Sequence, residues 1–158
     1  MRGLPPPTLV LNRPAYPWLA ATVVLLVDAT TKFIAESHWT EQGASLGPLH
    51  FHVTSNAGVS FSWLSSAPLV GVIAVSLAVA GILAGALLSR EGWPSIGFGF
   101  ILGGAVGNIA DRVGGPVHHV VDFIGVGNFF VCNVADIAIT IGVIVLGVVL
   151  LRGQSVTR

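Results

Sequence analysis

The chain has 158 residues, 53% of them hydrophobic and 9% charged, with zero formal net charge and a mean hydropathy of +0.85. A soluble domain carries roughly a quarter charged residues, so this composition points to a membrane protein forming one compact bundle. Zero net charge leaves no basic stripe for phosphates and argues against a nucleic-acid partner, and the lone Cys132 cannot form an internal disulfide.

Four apolar runs reach the roughly 20 residues that a bilayer-spanning helix needs. The first covers about 16–34 after a Pro-rich lead (1–15), opening with Pro17 and Trp18. It reads as a retained span and not a cleaved signal peptide, because it carries Asp28 and Lys32 and no convincing small-residue cleavage site follows it. The second covers about 67–88, with Pro68 suited to a first helical turn. The third covers about 93–110 and the fourth about 134–151. Trp18, Trp63 and Trp93 flank these runs, where an interfacial belt would put them.

Arg2, Arg13, Arg90, Arg152 and Arg158 all fall on one side of such a four-span chain, while residues 37–66 contain no Lys or Arg. The positive-inside rule then makes both termini cytoplasmic and the loops at about 37–66 and 112–133 external. In the first loop, Leu49 to Thr54 and Val59 to Trp63 alternate as half-buried strands do, with turn residues Asn56-Ala57-Gly58 between them. The second loop offers further strand candidates at Val120–Ile124 and Phe129–Val131. The fold expected is four transmembrane helices with a small antiparallel sheet resting on the membrane at the external side. Its apolar face turns towards the bundle, since an isolated hairpin is marginal.

In the third run, Gly99, Gly103, Gly107 and Asp111 recur every four residues, and Gly104, Asn108 and Arg112 form a second ridge beside them. The glycines read first as packing surface for neighbouring helices. The polar ends could hold a backbone carbonyl or orient a carboxylate, Arg112 through its fixed fork of donors. Asp28 and Lys32, four apart, suit an ion pair on one helix face.

Asp136 opens the fourth run with Asn133 three residues earlier as a candidate N-cap. Taken alone, Asp136 fits a macrodipole complement and Asp122 a solvated loop residue. Together, two carboxylates able to meet beside Asn108 and Arg112 suggest acid–base chemistry on water, one proton being shared between them. Which acid plays which part is open. His50, His52, His118 and His119 give no tetrahedral zinc pattern. Cys132 reads as a small packed residue, and no Gly-x-Ser-x-Gly elbow occurs.

These residues carry a family resemblance. Gly103-Gly104-Ala105-Val106-Gly107-Asn108-Ile109-Ala110-Asp111-Arg112 resembles the signature of lipoprotein signal peptidase (signal peptidase II), and Val121-Asp122-Phe123 and Asn133-Val134-Ala135-Asp136 resemble its two aspartate motifs. Asp28 with Lys32, and Asn56-Ala57-Gly58 with Phe61, match its remaining blocks, in order from the first span to the fourth. The resemblance implies a bacterial inner-membrane aspartic peptidase that cuts prolipoproteins just before a cysteine already carrying diacylglycerol. By the same match, Asp122 and Asp136 become the catalytic dyad. Asn108, Arg112 and Asn133 become polar support around dyad and substrate, and Asn56 a substrate contact from the sheet. Asp28, Lys32 and Asp111 keep fold and site in order. The family uses no metal or organic cofactor and is inhibited by cyclic peptides such as globomycin. Departures from its pattern are a longer 112–122 stretch, Cys132 for an aromatic residue, Ile137 for a small polar one, and Val59-Ser60 for alanines.

Two other readings stand beside this one. The first is a non-catalytic protein that binds lipidated precursors or an antibiotic. The second is a transporter or proton channel using Asp28 and Asp111 as relay groups, which would need ionisable residues spread along the membrane depth.

Overall fold

A computed structural model describes residues 15–40, 43–56 (side chains to Thr54), 78–79, 81–89, 92–114 and 119–157. In chain order these form α1 (Tyr16–His38), β1 (Ala44–Leu46), β2 (Leu49–Asn56), and a helical segment α2 (81–88). There follow α3 (Trp93–Gly114), β3 (Val120–Val126), β4 (Phe130–Cys132) and α4 (Val134–Leu151). Three of the helices, α1, α3 and α4, are long and apolar enough to cross a membrane. The predicted second span is described only at 78–79 and 81–89, where it is helical as far as 88. The rest of that span, Arg2, Arg13, Arg90, Arg158, Ala57, Gly58, Gly115, Pro116, His118 and the predicted strand Val59 to Trp63 lie outside the described residues.

The central helix is α3, and its two predicted ridges are the two faces of its packing. A side chain on Gly103 would stand 2.6 Å from the carbonyl oxygen of Ala21, and one on Gly107 would stand 2.7 Å from Oδ2 of Asp28, so this ridge lies hard against α1. Gly104 and Gly97 meet Ala135, Ile139 and Gly142 of α4 in the same way. Small residues here let backbones approach closely, which is how helices associate without a water-driven hydrophobic force between them. The outward faces stay apolar: Leu19, Leu26, Ile144 and Leu150 are all exposed, as lipid-facing residues are. The helix α3 runs to Gly114, four residues past the predicted end of the apolar run. Asn108, Asp111 and Arg112 therefore ride on its last turns, Asn108 and Asp111 held by partners on other elements and Arg112 bonded to the Asn108 carbonyl of its own helix.

The sheet is antiparallel throughout, in the order β1-β2-β3-β4. The predicted strand at Leu49–Thr54 forms and extends to Asn56. Among the described residues its hairpin partner is β1, joined through Gly47 at φ 59° and Pro48. Ala44-Ser45-Leu46 was not anticipated as a strand, because three wholly exposed residues show no alternation. On its other side β2 pairs with β3 from the second loop, Thr54 lying opposite Asp122 and Asn56 opposite Val120. A one-residue register shift falls between Phe51 and Thr54, the local kink of a bulge.

Trp39, which caps α1, seats the sheet on the bundle. Its ring packs 5.0 Å from Phe51 and 6.1 Å from Phe123, and its carbonyl accepts from Val53 N at 3.1 Å. The strand β4 passes through the single residue Asn133 straight into α4. The sheet thus stands where α1 and α3 end and α4 begins.

Candidate active site

The first turn of α4 is the foundation of the site. A helix start leaves backbone N–H groups without partners, and two residues supply them here. Asn133 Oδ1 accepts from Asp136 N at 2.9 Å, and Asp28 Oδ1, reaching over from α1, accepts from Ala135 N at 2.9 Å. Asp136 closes the capping box by accepting from Asn133 N through Oδ2 at 3.3 Å. The predicted N-cap therefore forms, and Asp136 sits within the helix's positive end.

The remaining oxygen of Asp136, Oδ1, accepts from Asn108 Nδ2 at 2.8 Å. Asn133 Nδ2 donates to Asp122 Oδ1 at 2.7 Å, and also faces Asn108 Oδ1 at 3.1 Å and Val121 O at 3.3 Å. One cap residue thus reaches both acids, its amide nitrogen holding Asp122 and its backbone N–H holding Asp136. Asp122 is buried to 3% exposure on β3, while Asp136 is half-buried.

Both amides are locked in orientation. Asn133 must turn its oxygen to the Asp136 N–H, which can only donate. Asn108 turns its oxygen to Lys32 Nζ at 3.3 Å, another pure donor, which leaves its nitrogen for Asp136. The Asp28–Lys32 ion pair expected from their spacing forms at 2.7 Å. A second contact, Lys32 to Asp111 Oδ2, also at 2.7 Å, joins α1 to α3. Lys32, only 4% exposed, thereby spends its three donors on Asp28, Asp111 and Asn108. Sequence reasoning missed this knot, although two aspartates and one lysine in apolar runs already call for shared partners.

Asp111 Oδ2 also accepts from Val121 N at 3.3 Å, fixing the backbone just ahead of Asp122. Arg112 Nη1 donates to the Asn108 carbonyl at 3.1 Å, so Arg112 holds a carbonyl, one of the two uses its position suggested. Asn56 is placed by its backbone alone, two positions along β2 from Thr54. Thr54, directly across from Asp122 and exposed, was not singled out from the sequence.

Cys132 lies beside the pair. Burial pushes its thiol above the usual range, and the charges of Asp136 and then Asp122 push it the same way. His50 bonds Ser45 Oγ through Nδ1 at 3.0 Å on the exposed sheet. Among the described residues no three His, Cys, Asp or Glu stand together as a metal set. Asp28, Lys32 and Asp111 form one knot with Asn108 and the start of α4, not a file along the membrane depth. A groove of about 280 Å³ between Trp93, Val148 and Arg152 lies at the opposite end of α3 and α4 and touches none of these groups.

Fold and site together define a membrane protein in which Asn133 bonds two carboxylates, those of Asp122 and Asp136, where the helices meet a small sheet. Residues 20–152 match the model of the family described as signal peptidase (SPase) II, and the chain belongs to that family of peptidases. It is 37% identical over 150 residues to the lipoprotein signal peptidase of Trichormus variabilis, covering 82% of this chain and 85% of the relative. It is 39% identical over 149 residues to that of Nostoc punctiforme, covering 82% and 85%. With that of Rhodococcus jostii it shares 35% over 158 residues, covering 94% and 79%. Two solved bacterial membrane enzymes share the fold. One has a TM-score of 0.70 at 26% identity over 85% of this chain and 92% of the other. The second has 0.69 at 27% identity over 86% and 87%.

Proposed function

We propose that this chain is an aspartic endopeptidase that removes the signal peptide from prolipoproteins, cutting just before the diacylglyceryl-modified cysteine, with Asp122 and Asp136 as its catalytic pair. The observation that carries the reading is the grip of Asn133 on both acids, through Nδ2 on Asp122 and through its backbone N–H on Asp136. Two carboxylates held around one point act as a unit: the ionised member takes a proton from water while the protonated member polarises the scissile carbonyl. The two roles belong to the coupled pair as a whole. Asn108 and Asn133 orient the acids, and Arg112 steadies Asn108 through its carbonyl. Asn56 contacts substrate from the sheet, and the Asp28–Lys32–Asp111 knot sets the frame.

In this reading residues 1–158 are a single domain of the bacterial inner membrane, with four spans, both termini cytoplasmic, and the sheet and acids on the external side. The bilayer aligns a lipid-anchored precursor, so the enzyme need only bring one peptide bond to the pair. Globomycin-type peptides would compete for the same cleft. A binder that never cuts has no use for two costly carboxylates so carefully held.

The test is cleavage of a diacylglyceryl-modified precursor by purified protein in lipid. Asp122→Asn and Asp136→Asn should each lower turnover by about 10⁴-fold with insertion and unfolding temperature retained. Normal processing by both variants would reject the proposal.

A further inference from the structure

One polar side chain beside the acids is not spent on the protein itself. Asp122, Asp136, Asn108 and Asn133 are bonded to one another. Thr54 of β2 lies directly across the sheet from Asp122. It is exposed, and among the described residues its hydroxyl has no hydrogen-bond partner.

The register fixes what Thr54 can reach. Residues paired across antiparallel strands project from the same face, with their Cβ atoms about 4.5–5.5 Å apart. Thr54 therefore stands on the face of the sheet that carries Asp122. The other neighbours of Asp122 on that face are more enclosed. Val120 and Ile124, two positions either way along β3, are buried and half-buried, and Cys132, paired with Ile124, is half-buried. Among these described residues only Thr54 is exposed. It marks the open side of the acid site, where a molecule from outside can come against Asp122.

The chemistry selects that molecule. A hydroxyl both donates and accepts, which matches the N–H and C=O groups of a peptide main chain. An extended peptide rises about 3.3 Å per residue, so a hydroxyl about 5 Å from Asp122 meets a group within two residues of the bond set at the acids. The strand itself does not need this oxygen. Valine is β-branched as threonine is and would serve β2 equally well.

We propose that Thr54 is a substrate-binding residue, whose hydroxyl hydrogen-bonds the main chain of the precursor within two residues of the scissile bond and sets that bond against Asp122. The identity of the peptide rests on the peptidase reading above, and the placement of the hydroxyl on the β2–β3 register alone.

The test uses the full chain in lipid with a diacylglyceryl-modified precursor. Thr54→Val keeps the shape and removes the hydroxyl, and should lower kcat/KM about 3–10-fold with the unfolding temperature unchanged. Thr54→Ser keeps the hydroxyl and should retain most of kcat/KM. Equal kcat/KM for Thr54→Val and the unmodified chain would overturn the hydrogen bond. Equal losses in both variants would overturn it too, making Thr54 a packing residue. A second measurement does not depend on turnover. The thiol introduced by Thr54→Cys, in a background of Cys132→Ala and Asp136→Asn, should react readily with a small water-soluble methanethiosulfonate reagent and lose most of that reactivity once precursor is added to saturation. Reactivity untouched by precursor would overturn the contact. If the unmodified chain cut nothing, the peptidase reading would fall, and protection of the thiol by intact precursor would still decide whether Thr54 faces a bound peptide.

Discussion

Asn133 Nδ2 stands 2.7 Å from Asp122 Oδ1, while Oδ1 of the same Asn133 caps α4 by accepting from Asp136 N. The residue that starts the last helix is therefore also the clamp between the acids, and its two jobs can be separated.

Asn133→Ser keeps a hydroxyl oxygen for the cap and removes the amide donor without adding a charge, so unfolding temperature should fall less than in Asn133→Ala. Turnover should fall by about 10²-fold, the usual effect of deleting one oriented donor. Asn133→Ala removes both, and should add a loss of about 1 kcal/mol from the missing cap. Thermal unfolding in micelles beside a cleavage assay measures the two effects; a fully active Asn133→Ser variant would contradict the clamp.

Lys32→Met leaves Asp28 buried without its cation and takes a partner from Asp111. Breaking a buried pair from one side costs about 3–5 kcal/mol, so unfolding should move to clearly lower temperature. Adding Asp28→Asn and Asp111→Asn to Lys32→Met removes the stranded charges and should recover part of that loss. No recovery would show that lysine acts by packing alone.

Gly107→Ala would press a methyl group to 2.7 Å from Asp28 Oδ2, the oxygen that pairs with Lys32. Overpacking of this kind costs about 1–3 kcal/mol, and because Asp28 also holds Ala135 N, activity should drop with stability. Gly147→Ala is the control: its new methyl meets nothing within 4 Å. Equal behaviour of the two variants in unfolding and cleavage would refute the close-packing account.

Cys132 should alkylate slowly near neutral pH, because its raised thiol pKa leaves less thiolate at any given pH. Burial is the larger cause and persists in every variant. Removing one negative charge by Asp136→Asn lowers the thiol pKa and should speed alkylation. Iodoacetamide rates measured across pH give the shift directly, and a slower variant would reverse the sign of the argument.

Where sequence reasoning succeeded, the signal was local or compositional. Asn133 and Asp136 are three apart, so a capping box follows from helix geometry alone, and Asp28 and Lys32 are four apart on one face. The glycine ridges of α3 are likewise periodic, though which neighbour each would meet was not. Strand β2 was legible from its alternation, whereas β1 was not, since it has no buried face. The turn placed at Asn56-Ala57-Gly58 starts from a residue that β2 still contains. The rest of that turn and the strand predicted after it lie outside the described residues; among those described, a hairpin closes at the other end of β2, at Gly47-Pro48.

Membrane character, helix faces and the identity of the polar residues are written in the chain itself, because transfer cost and periodicity act residue by residue. Only the folded molecule decided that Lys32 serves Asp111 as well as Asp28, that Asn108 turns its nitrogen to Asp136, and that Asp122 lies across from Thr54. Those contacts join residues far apart in the chain, and their geometry depends on how closely α1, α3 and α4 approach, which no local rule carries.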